Sequence, residues 1–275
     1  MNTTSLEGNT ALITGAAGLL GIQHADALLE AGANLILTDS NSESLKLAVE
    51  SLTRKYPLAV IIPCVMDVTQ EKSILEIAQE LELSDNLPDI LINNAAIDHK
   101  VSSQSSSIEF SRLENYSIES WDHEIAVGLK GAFLCAKIFG SKIVERQQKG
   151  VILNIASDLS VIAPNQNLYV KKGLEISQQP VKPVTYSVIK TGLIGLTRYL
   201  ATYWGNRGLR CNALSPGGVY NSQPQEFVRR IEKLIPMGRM AHESEYRQAI
   251  VFLCSDASSY MNGQNIVIDG GRSVW

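Results

Sequence analysis

The sequence predicts an α/β fold, a doubly wound parallel sheet with helices on both faces. Short apolar runs alternate with longer segments of helical periodicity, which is typical of βαβ units. A glycine-rich turn joins the first run to the first helical segment. With 275 residues, 45% of them hydrophobic, the chain can bury a sizeable core.

The predicted elements follow one another with short connections. "TALIT" is the first strand and "LLGIQHADALLEAG" the first helix, closed by Gly32; "NLILTD" and "SESLKLAVESLTRKY" are the second pair. The series continues through "AVIIPCVMD", "QEKSILEIAQELEL", "DILINNAA", "ESWDHEIAVGLKGAFLCAKIFGSKIVERQ", "GVILNIAS", "VTYSVIKTGLIGLTRYLATYWG", "LRCNALSPGG", "ESEYRQAIVFLCSD" and "QNIVID". We therefore expect a single domain over residues 1–275.

Two polar segments interrupt the alternation, at about residues 98–117 and 158–184, and both are rich in Ser, Gln, Pro and Lys. Each follows a strand, and loops beyond the carboxyl ends of strands form the ligand crevice of open α/β sheets. We expect two loop insertions that contact the substrate. The alternative is that both segments are solvated surface insertions, which would have the same composition.

Composition excludes several classes of function. A net charge of −4 gives no basic field for nucleic acid or an anionic membrane. No run approaches the ~20 apolar residues of a membrane helix, and the N-terminal segment lacks a signal-peptide pattern. The cysteines are far apart in apolar surroundings and the histidines are scattered, so we expect reduced thiols, a cytoplasmic protein and no metal site. These residues are Cys64, Cys135, Cys211, Cys254, His24, His99, His123 and His242.

The motif "TGAAGLLG" follows the first strand and opens the first helix, as a dinucleotide-binding glycine motif of a Rossmann-type fold requires. Gly15 permits the tight turn, Gly18 lets the backbone approach a pyrophosphate, and Gly21 lets the helix pack on the sheet. The phosphates would lie at the helix N-terminus, where free N–H groups favour anions.

Asp39 ends the second strand and favours NAD over NADP. Its carboxylate can accept hydrogen bonds from the adenosine ribose, whereas it would repel a 2′-phosphate. "TDSNSES" contains no Arg or Lys to offset that repulsion. Asp39 could instead cap the next helix, although Ser40 and Ser42 are available for that role.

From about Thr10 to Gly271 the chain resembles the short-chain dehydrogenase/reductase family, of the classical type. The resemblance rests on the order and spacing of several short motifs, namely "TGAAGLLG", Asp67-Val68, "NNAA" at 93–96, Ser157 after the fifth strand, "YSVIK" at 186–190, "SPGG" at 215–218 and "NGQNIVIDGG". It implies hydride transfer between an alcohol or carbonyl and NAD(P), with Ser157, Tyr186 and Lys190 as catalytic residues. It also implies a homodimer or homotetramer, formed through the two longest helices.

The resemblance also implies a set of cofactor contacts. Tyr186 and Lys190 are expected to act in catalysis and also to contact the cofactor. The full expected set is Gly15, Gly18, Leu20, Gly21, Asp39, Asp67, Val68, Asn94, Ala95, Ala96, Tyr186, Lys190, Pro216, Gly217 and Val219.

Three positions depart from the family pattern. Leu19 replaces the middle glycine of the usual loop, and the resulting spacing is that of the extended branch, which includes enzymes of nucleotide sugars. Ala96 replaces a glycine. Gly128 stands where a tetrad asparagine is usual, which puts the fourth catalytic residue in doubt, although the Gly128 carbonyl could still hold a relay water.

Either of two tyrosines could be the acid/base. A free tyrosine, with a pKa of about 10, is a poor base at neutral pH, and an ammonium one helical turn away favours the phenolate. Tyr169 follows Ser157 by 12 residues, close to the usual family gap, but Gly173 stands at its i+4 position. Tyr186 has Lys190 at i+4 and follows Ser157 by 29 residues. We assign Tyr186, with an insertion of roughly 17 residues, a length that a surface loop tolerates.

The second polar segment carries Lys171, Lys172 and Lys182 against one acid, Glu175, and the first adds Lys100, Arg112 and Asn115. Such side chains suit phosphate and hydroxyl groups, so we expect a small, polar, sugar-like or phosphorylated substrate. "SRLENYSIESWDHEIAVGLKGAFLCAK" with the long insertion also resembles, more weakly, oxidoreductases of bacterial flagellin-modification and surface-sugar pathways.

Three other functions remain open. One is an NADP-linked carbonyl reductase of a less polar substrate. A nucleotide-sugar epimerase or dehydratase is suggested by the glycine spacing, but after "DGGRSVW" we expect no added substrate domain. A dinucleotide sensor without turnover would keep the fold, although the intact Ser157, Tyr186 and Lys190 argue against it.

Overall fold

The structure, a computed structural model, describes residues 3–97, 110–146 and 149–275. Its centre is a seven-stranded parallel sheet in the order β3-β2-β1-β4-β5-β6-β7. The strands are β1 Thr10–Thr14, β2 Asn34–Asp39, β3 Ile61–Val65, β4 Ile90–Asn93, β5 Gly150–Ile155, β6 Leu209–Pro216 and β7 Asn265–Ile268. Strands β2 and β3 lie on one side of β1, whereas β4 to β7 lie on the other. This change of side between β1 and β4 creates a crevice at their carboxyl ends.

Helices cover both faces, which confirms the predicted doubly wound fold. The α-helices are α1 Leu19–Glu30, α2 Ser42–Lys55, α3 Glu71–Leu83, α4 Ile118–Ile125, α5 Gly131–Cys135, α6 Ser141–Glu145, α7 Val184–Trp204, α8 Gln225–Glu232 and α9 Arg247–Cys254. The π-helical segments Ala126–Lys130 and Ala136–Gly140 join α4, α5 and α6 into one long helical stretch. Helix α8 was not predicted from the sequence.

Side chains alternate between two hydrophobic clusters, one on each side of the sheet. In β1, Ala11 and Ile13 join the cluster beneath α1, α2 and α9, whereas Leu12 joins the cluster beneath α3, α5, α6 and α7. Strand β2 repeats the pattern, with Leu35 and Leu37 on one face and Ile36 on the other. Because helices cover both faces of the sheet, the side chains that point to either face are buried. The strand sequences are therefore continuous apolar runs.

Residues 158–184 contain short 3-10 turns and pack against helix α8. Leu168 is buried with Ile231, Ile235 and Met240, and the rings of Tyr169 and Phe227 lie 5.5 Å apart. Arg230 of α8 donates hydrogen bonds to the carbonyl oxygens of Asn167, Leu168 and Val170. The segment is therefore fixed by burial and hydrogen bonds, and is more than a solvated loop.

Only the end of the first polar segment is described, since residues 98–109 lie outside the described part of the chain. There, Arg112 donates to the carbonyl oxygen of Ile176 at 3.0 Å, and the Ser111 hydroxyl accepts from the Val181 N–H at 3.0 Å. The two polar segments thus contact each other beside the sheet.

In residues 3–97, 110–146 and 149–275, no helix has the length and apolar character needed to cross a bilayer. The four cysteines are free thiols, three of them buried.

Candidate active site

Backbone packing explains two of the glycines in the loop after β1. Gly15 has φ +61, and a Cβ there would lie 2.8 Å from the Ala95 Cα. A Cβ on Gly21 would lie 2.4 Å from the Gly15 carbonyl oxygen. Gly21 thus brings the first turn of α1 against the loop itself, rather than against the sheet as expected. The loop fits tightly between α1 and the end of β4.

The N-terminus of α1 faces the crevice without a side-chain cap. Gly18 is the N-cap residue, no side chain of the described residues caps the first turn, and that turn contains no acidic residue. Backbone N–H groups at such an end carry a partial positive charge and bind phosphate. The loop therefore fits the pyrophosphate of a dinucleotide.

Asn94 fastens the glycine loop to the end of β4. Its side-chain amide donates to the carbonyl oxygens of Thr14 at 3.0 Å and Gly15 at 2.9 Å. The Thr14 hydroxyl in turn accepts from the N–H groups of Asn94 and Ala95, each at 3.0 Å. These four bonds set the spacing between the two strand ends at the crevice.

The Asp39 carboxylate lies at the end of β2 and faces the same crevice. It accepts from the Ala17 N–H at 3.2 Å and from the Asn41 N–H at 3.0 Å. Helix α2 is capped by Asn41, which accepts from the Ser44 N–H at 2.9 Å. Asp39 is therefore not the helix cap, and neither Ser40 nor Ser42 is needed for that role.

A cavity of about 1140 Å³ runs from Asp39 to helix α8. It is large for a single small ligand, for which ~300–1,000 Å³ is usual, and suits a dinucleotide together with a substrate. Every predicted site residue except Gly21 lines it: Gly15, Gly18, Leu20, Asp39, Asp67, Val68, Asn94, Ala95, Ala96, Ser157, Tyr186, Lys190, Pro216, Gly217 and Val219.

Ser157, Tyr186 and Lys190 meet in this cavity from two elements. Ser157 follows β5 and is buried, Tyr186 lies in the first turn of α7, and Lys190 is one turn further along. The Lys190 ammonium donates to the Ile155 carbonyl oxygen at 2.8 Å and lies 5.7 Å from the Tyr186 ring centroid. Lys190 thus lies beside the Tyr186 ring within the cavity.

Tyr169 also lines the cavity, but its surroundings differ. It lies in the 3-10 turn Gln166–Tyr169, and its ring packs on Phe227 of α8. The structure thus places Tyr169 in the wall formed by segment 158–184 and α8.

Lys182 contributes a second ammonium that local spacing did not reveal. Its Nζ lies 3.7 Å from the centroid of the Tyr186 ring. The Lys182 N–H donates to Gln166 Oε1 at 2.8 Å, and Pro183 follows it directly. The sequence indicated Lys182 only as one of several loop lysines.

A buried ion pair lies directly beside Ser157. Arg272, in the turn after β7, donates to Asp158 Oδ2 at 2.7 Å, and both side chains are almost fully buried. Ser157 donates to the other carboxylate oxygen, Oδ1, at 2.9 Å. Sequence reasoning missed this pair because its members are separated by 114 residues.

Gly128, at the position of the usual tetrad asparagine, lies in the π-helical segment Ala126–Lys130. A Cβ there would lie 2.7 Å from Cγ2 of the buried Ile189 of α7. The site has no room for an asparagine side chain unless Ile189 moves.

Burial shifts the pKa values of several thiols and of one histidine, all of which lie away from the cavity. Burial raises the pKa of Cys135 and of Cys254 to about 12, and that of Cys64 to about 11. It lowers the pKa of His24 to about 3. Across the described residues, no group of three or more His, Cys, Asp or Glu side chains is arranged to hold a metal ion.

A glycine loop at a helix N-terminus, a carboxylate after the second strand and a cavity at the switch point define a dinucleotide-binding α/β protein. Residues 15–273 match the family model described as enoyl-(acyl carrier protein) reductase. The chain belongs to the short-chain dehydrogenase/reductase family, whose members are NAD(P)-dependent oxidoreductases that act on alcohol and carbonyl groups.

Individual relatives match over nearly the whole chain. The D-threitol dehydrogenase of Mycolicibacterium smegmatis is 30% identical over 274 residues, which cover 98% of this chain and 94% of that protein. A short-chain dehydrogenase from Leptospira borgpetersenii, crystallised with NAD⁺, is 30% identical with a TM-score of 0.83, covering 99% of this chain and 96% of its own.

A gluconate 5-dehydrogenase from Burkholderia cenocepacia, crystallised with NADP and tartrate, is 26% identical with a TM-score of 0.82. The match covers 100% of this chain and 98% of that one. These structural neighbours include one protein with NAD⁺ and one with NADP, so both dinucleotides occur among proteins of this fold.

Proposed function

We propose that the protein is a cytoplasmic, NAD-dependent dehydrogenase that oxidises a secondary alcohol of a polyol or sugar acid. The observation that carries the proposal is the convergence of Ser157, Tyr186 and Lys190 in the cavity that contains the glycine loop. Support for the substrate class comes from the relatives named for D-threitol and gluconate.

Tyr186 is the proposed base that takes the proton of the substrate hydroxyl. Lys190, buried one turn along α7, places an ammonium beside the Tyr186 ring and so favours the phenolate. Ser157 contacts the same substrate oxygen and orients it toward Tyr186. A bound dinucleotide would supply the hydride acceptor; the glycine loop would hold its pyrophosphate, Asp39 its adenosine ribose and the residues around Pro216 its nicotinamide.

NAD is the proposed cofactor because Asp39 faces the crevice with its carboxylate fixed by two backbone N–H groups. A 2′-phosphate would meet this charge at close range. Wild type is expected to have a much lower KM for NAD⁺ than for NADP⁺, and Asp39→Ala is expected to reduce that preference at least tenfold. An unchanged preference in Asp39→Ala would contradict the assignment.

We propose that segment 158–184 recognises the substrate. Lys171 and Lys182 line the cavity, together with Leu168, Tyr169 and Val170. The other cations expected to contact the substrate do not line the cavity or cannot be described. Lys172 lies outside the cavity, the Arg112 guanidinium donates a hydrogen bond to the Ile176 carbonyl oxygen, and Lys100 lies outside the described residues. The proposed contacts with a polar or phosphorylated substrate therefore narrow to Lys171 and Lys182.

A spectrophotometric screen tests the activity. D-Threitol, gluconate, other polyols and sugar phosphates would be offered with NAD⁺ or NADP⁺, and formation of the reduced dinucleotide recorded. Tyr186→Phe is expected to lower kcat by about 10²–10⁴-fold. Tyr169→Phe is expected to retain most of the activity. Loss of activity in Tyr169→Phe with activity kept in Tyr186→Phe would overturn the assignment.

We also propose a homodimer or homotetramer and a single folded domain. Exposed aromatic residues on the two longest helical stretches support the oligomer. They are Phe133 of α5 and Tyr199 and Tyr203 of α7, and the rings of the two tyrosines stack with their centroids 5.6 Å apart. All named strands belong to a single sheet, which supports the second. Light scattering with size-exclusion chromatography tests the oligomer, and a single cooperative unfolding transition tests the domain.

A further inference from the structure

The first turn of α7 carries Tyr186 and has no side-chain cap among the described residues. Pro183 is the N-cap residue, and Tyr186 is only the third residue of the helix. The N–H groups of a first turn lack α-helical partners, and helix ends fray. Contacts from other elements are therefore needed to hold this turn in one conformation.

A buried carboxylate supplies such a contact. Glu124 of α4 accepts through Oε2 from the hydroxyl of Thr185, the residue before Tyr186, and through Oε1 from the phenol of Tyr116 at 2.5 Å. The hydroxyl oxygens of Thr185 and Tyr116 are themselves 2.9 Å apart. Thr185 is 0% exposed and Glu124 is 4% exposed. We call these three side chains, Tyr116, Glu124 and Thr185, the Glu124 clamp.

Both hydroxyl groups of the clamp donate to the carboxylate. Burial, and the hydrogen bond to Glu124, raise the pKa of Tyr116 to about 12, so its phenol keeps its proton at neutral pH. A carboxylate has only acceptors, so Thr185 is the donor of its own bond to Glu124. Hydrogen bonds to a charged acceptor are about twice as strong as neutral ones. The clamp is therefore a firm link between α4 and the start of α7.

Two glycines let α7 approach the helical stretch that begins with α4. A Cβ on Gly128, one helical turn after Glu124, would lie 2.7 Å from Cγ2 of Ile189 in α7. A Cβ on Gly192 of α7 would lie 2.9 Å from Cδ2 of Leu129. Each glycine thus faces a side chain of the other stretch, and a larger residue would push the two apart. The backbones are close enough for a short side chain of α7 to reach Glu124.

We propose that Glu124 is a positioning residue that holds Tyr186 in place for catalysis by fixing the first turn of α7 through Thr185. The inference rests on the proposed function, in which Tyr186 is the base. Neither Glu124 nor Thr185 lines the cavity, so the clamp acts only through the helix. Without it, Tyr186 samples several orientations, and only some of them place its oxygen against the substrate. Turnover is then slower, whereas the glycine loop still binds the dinucleotide.

Thr185→Val removes the hydroxyl and keeps the shape of the side chain. With the best alcohol from the spectrophotometric screen, kcat should fall about tenfold, because a misplaced base reacts less often, while the KM for NAD⁺ stays within about twofold. Thr185→Ser restores a hydroxyl and should restore the kcat of wild type. A kcat equal to that of wild type in a folded Thr185→Val variant would refute the inference.

Glu124→Met tests the carboxylate itself. It should lower kcat by the same factor as Thr185→Val, and the double variant should be no slower than either, because both changes break the same contact. Losses that multiply in the double variant would show that Glu124 does not act through Thr185. If Glu124→Met fails to fold, the Thr185 variants decide the question.

Thr197→Val is the matched control for a loss of stability. Thr197 is also a buried threonine of α7 outside the cavity lining. Its hydroxyl accepts from Asn154 Nδ2 and donates to the Leu193 carbonyl oxygen, each at 2.8 Å. Both valine variants should lower the melting temperature, but only Thr185→Val should lower kcat. An equal fall of kcat in the two would assign the effect to destabilisation and contradict a positioning role.

Hydrogen exchange measures the hold on the first turn without any turnover. The Tyr186 N–H donates to the Pro183 carbonyl oxygen at 3.3 Å. Its exchange should be about tenfold faster in Thr185→Val than in wild type, and unchanged in Thr197→Val. An unchanged rate in Thr185→Val would refute the inference whatever the activity. Absence of turnover by wild type with every alcohol would instead refute the proposed function.

Discussion

The Lys182 ammonium lies 3.7 Å from the centroid of the Tyr186 ring, closer than the Lys190 ammonium at 5.7 Å. The ring thus has a cation on its face as well as the lysine one helical turn along. A cation at this distance stabilises the negative charge of a phenolate and the electron-rich ring face.

Lys182→Met is therefore expected to disfavour the phenolate. The rising limb of the pH–rate profile for alcohol oxidation should move to higher pH, with kcat/KM at pH 7 lower by about tenfold, equivalent to about 1.4 kcal/mol. Lys172→Met, an exposed lysine outside the cavity, is the control. Identical pH profiles for both variants would show that Lys182 does not act on Tyr186.

Arg230 holds the cavity wall together through the carbonyl oxygens of residues 167, 168 and 170. Arg230→Met is expected to loosen segment 158–184 and raise the substrate KM about five- to tenfold, since at least one charged hydrogen bond is lost. Limited proteolysis should cut the segment faster. Arg229→Met, an exposed neighbour on the same helix, should leave both measurements unchanged.

Gly128 should resist substitution because of Ile189. The Cβ added by Gly128→Ala would lie 2.7 Å from the Ile189 Cγ2, and overpacking of this kind costs about 1–3 kcal/mol. Urea denaturation measures the change. Gly195→Ala in α7 is the control, because its Cβ would meet nothing within 4 Å, and it should stabilise by up to about 1 kcal/mol. Equal effects of the two changes would contradict the packing argument.

His24 should make the fold sensitive to acid. It is fully buried in α1 with no hydrogen-bond partner for either ring nitrogen among the described residues, and burial lowers its pKa to about 3. The unfolded chain protonates His24 below about 6.5, but the folded chain does not until about 3. Stability is therefore unaffected above the unfolded pKa and decreases as the pH falls through this window.

The loss attributable to His24 should reach about 2 kcal/mol at pH 5. His24→Leu removes the titrating group and fills the buried site with an apolar side chain. The difference in unfolding free energy between pH 7.5 and pH 5 should be smaller in His24→Leu than in wild type. A difference as large as that of wild type would assign the acid sensitivity to other groups.

The strands could be predicted because burial on both faces leaves long apolar runs, and the positions of Tyr186 and Lys190 followed from spacing within one helix. Helix α8 was missed because Glu226, Arg229, Arg230 and Glu232 dilute its apolar residues over only two turns. The π-helical segments Ala126–Lys130 and Ala136–Gly140 were also missed, because the sequence predicted one continuous helix there. No spacing rule could have brought Asp158 to Arg272, because only the order of β5, β6 and β7 in the sheet makes them neighbours.

The four hydrogen bonds between Asn94, Ala95, Thr14 and Gly15 have a thermodynamic consequence for ligand binding. A glycine loop that was disordered before binding would lose conformational entropy when it closed around a phosphate, at about 1–2 kcal/mol for each residue fixed. Here the fold has already fixed the loop, so that loss occurs during folding and not during association. Dinucleotide binding should therefore resemble docking into a rigid surface, with a favourable entropy from released water.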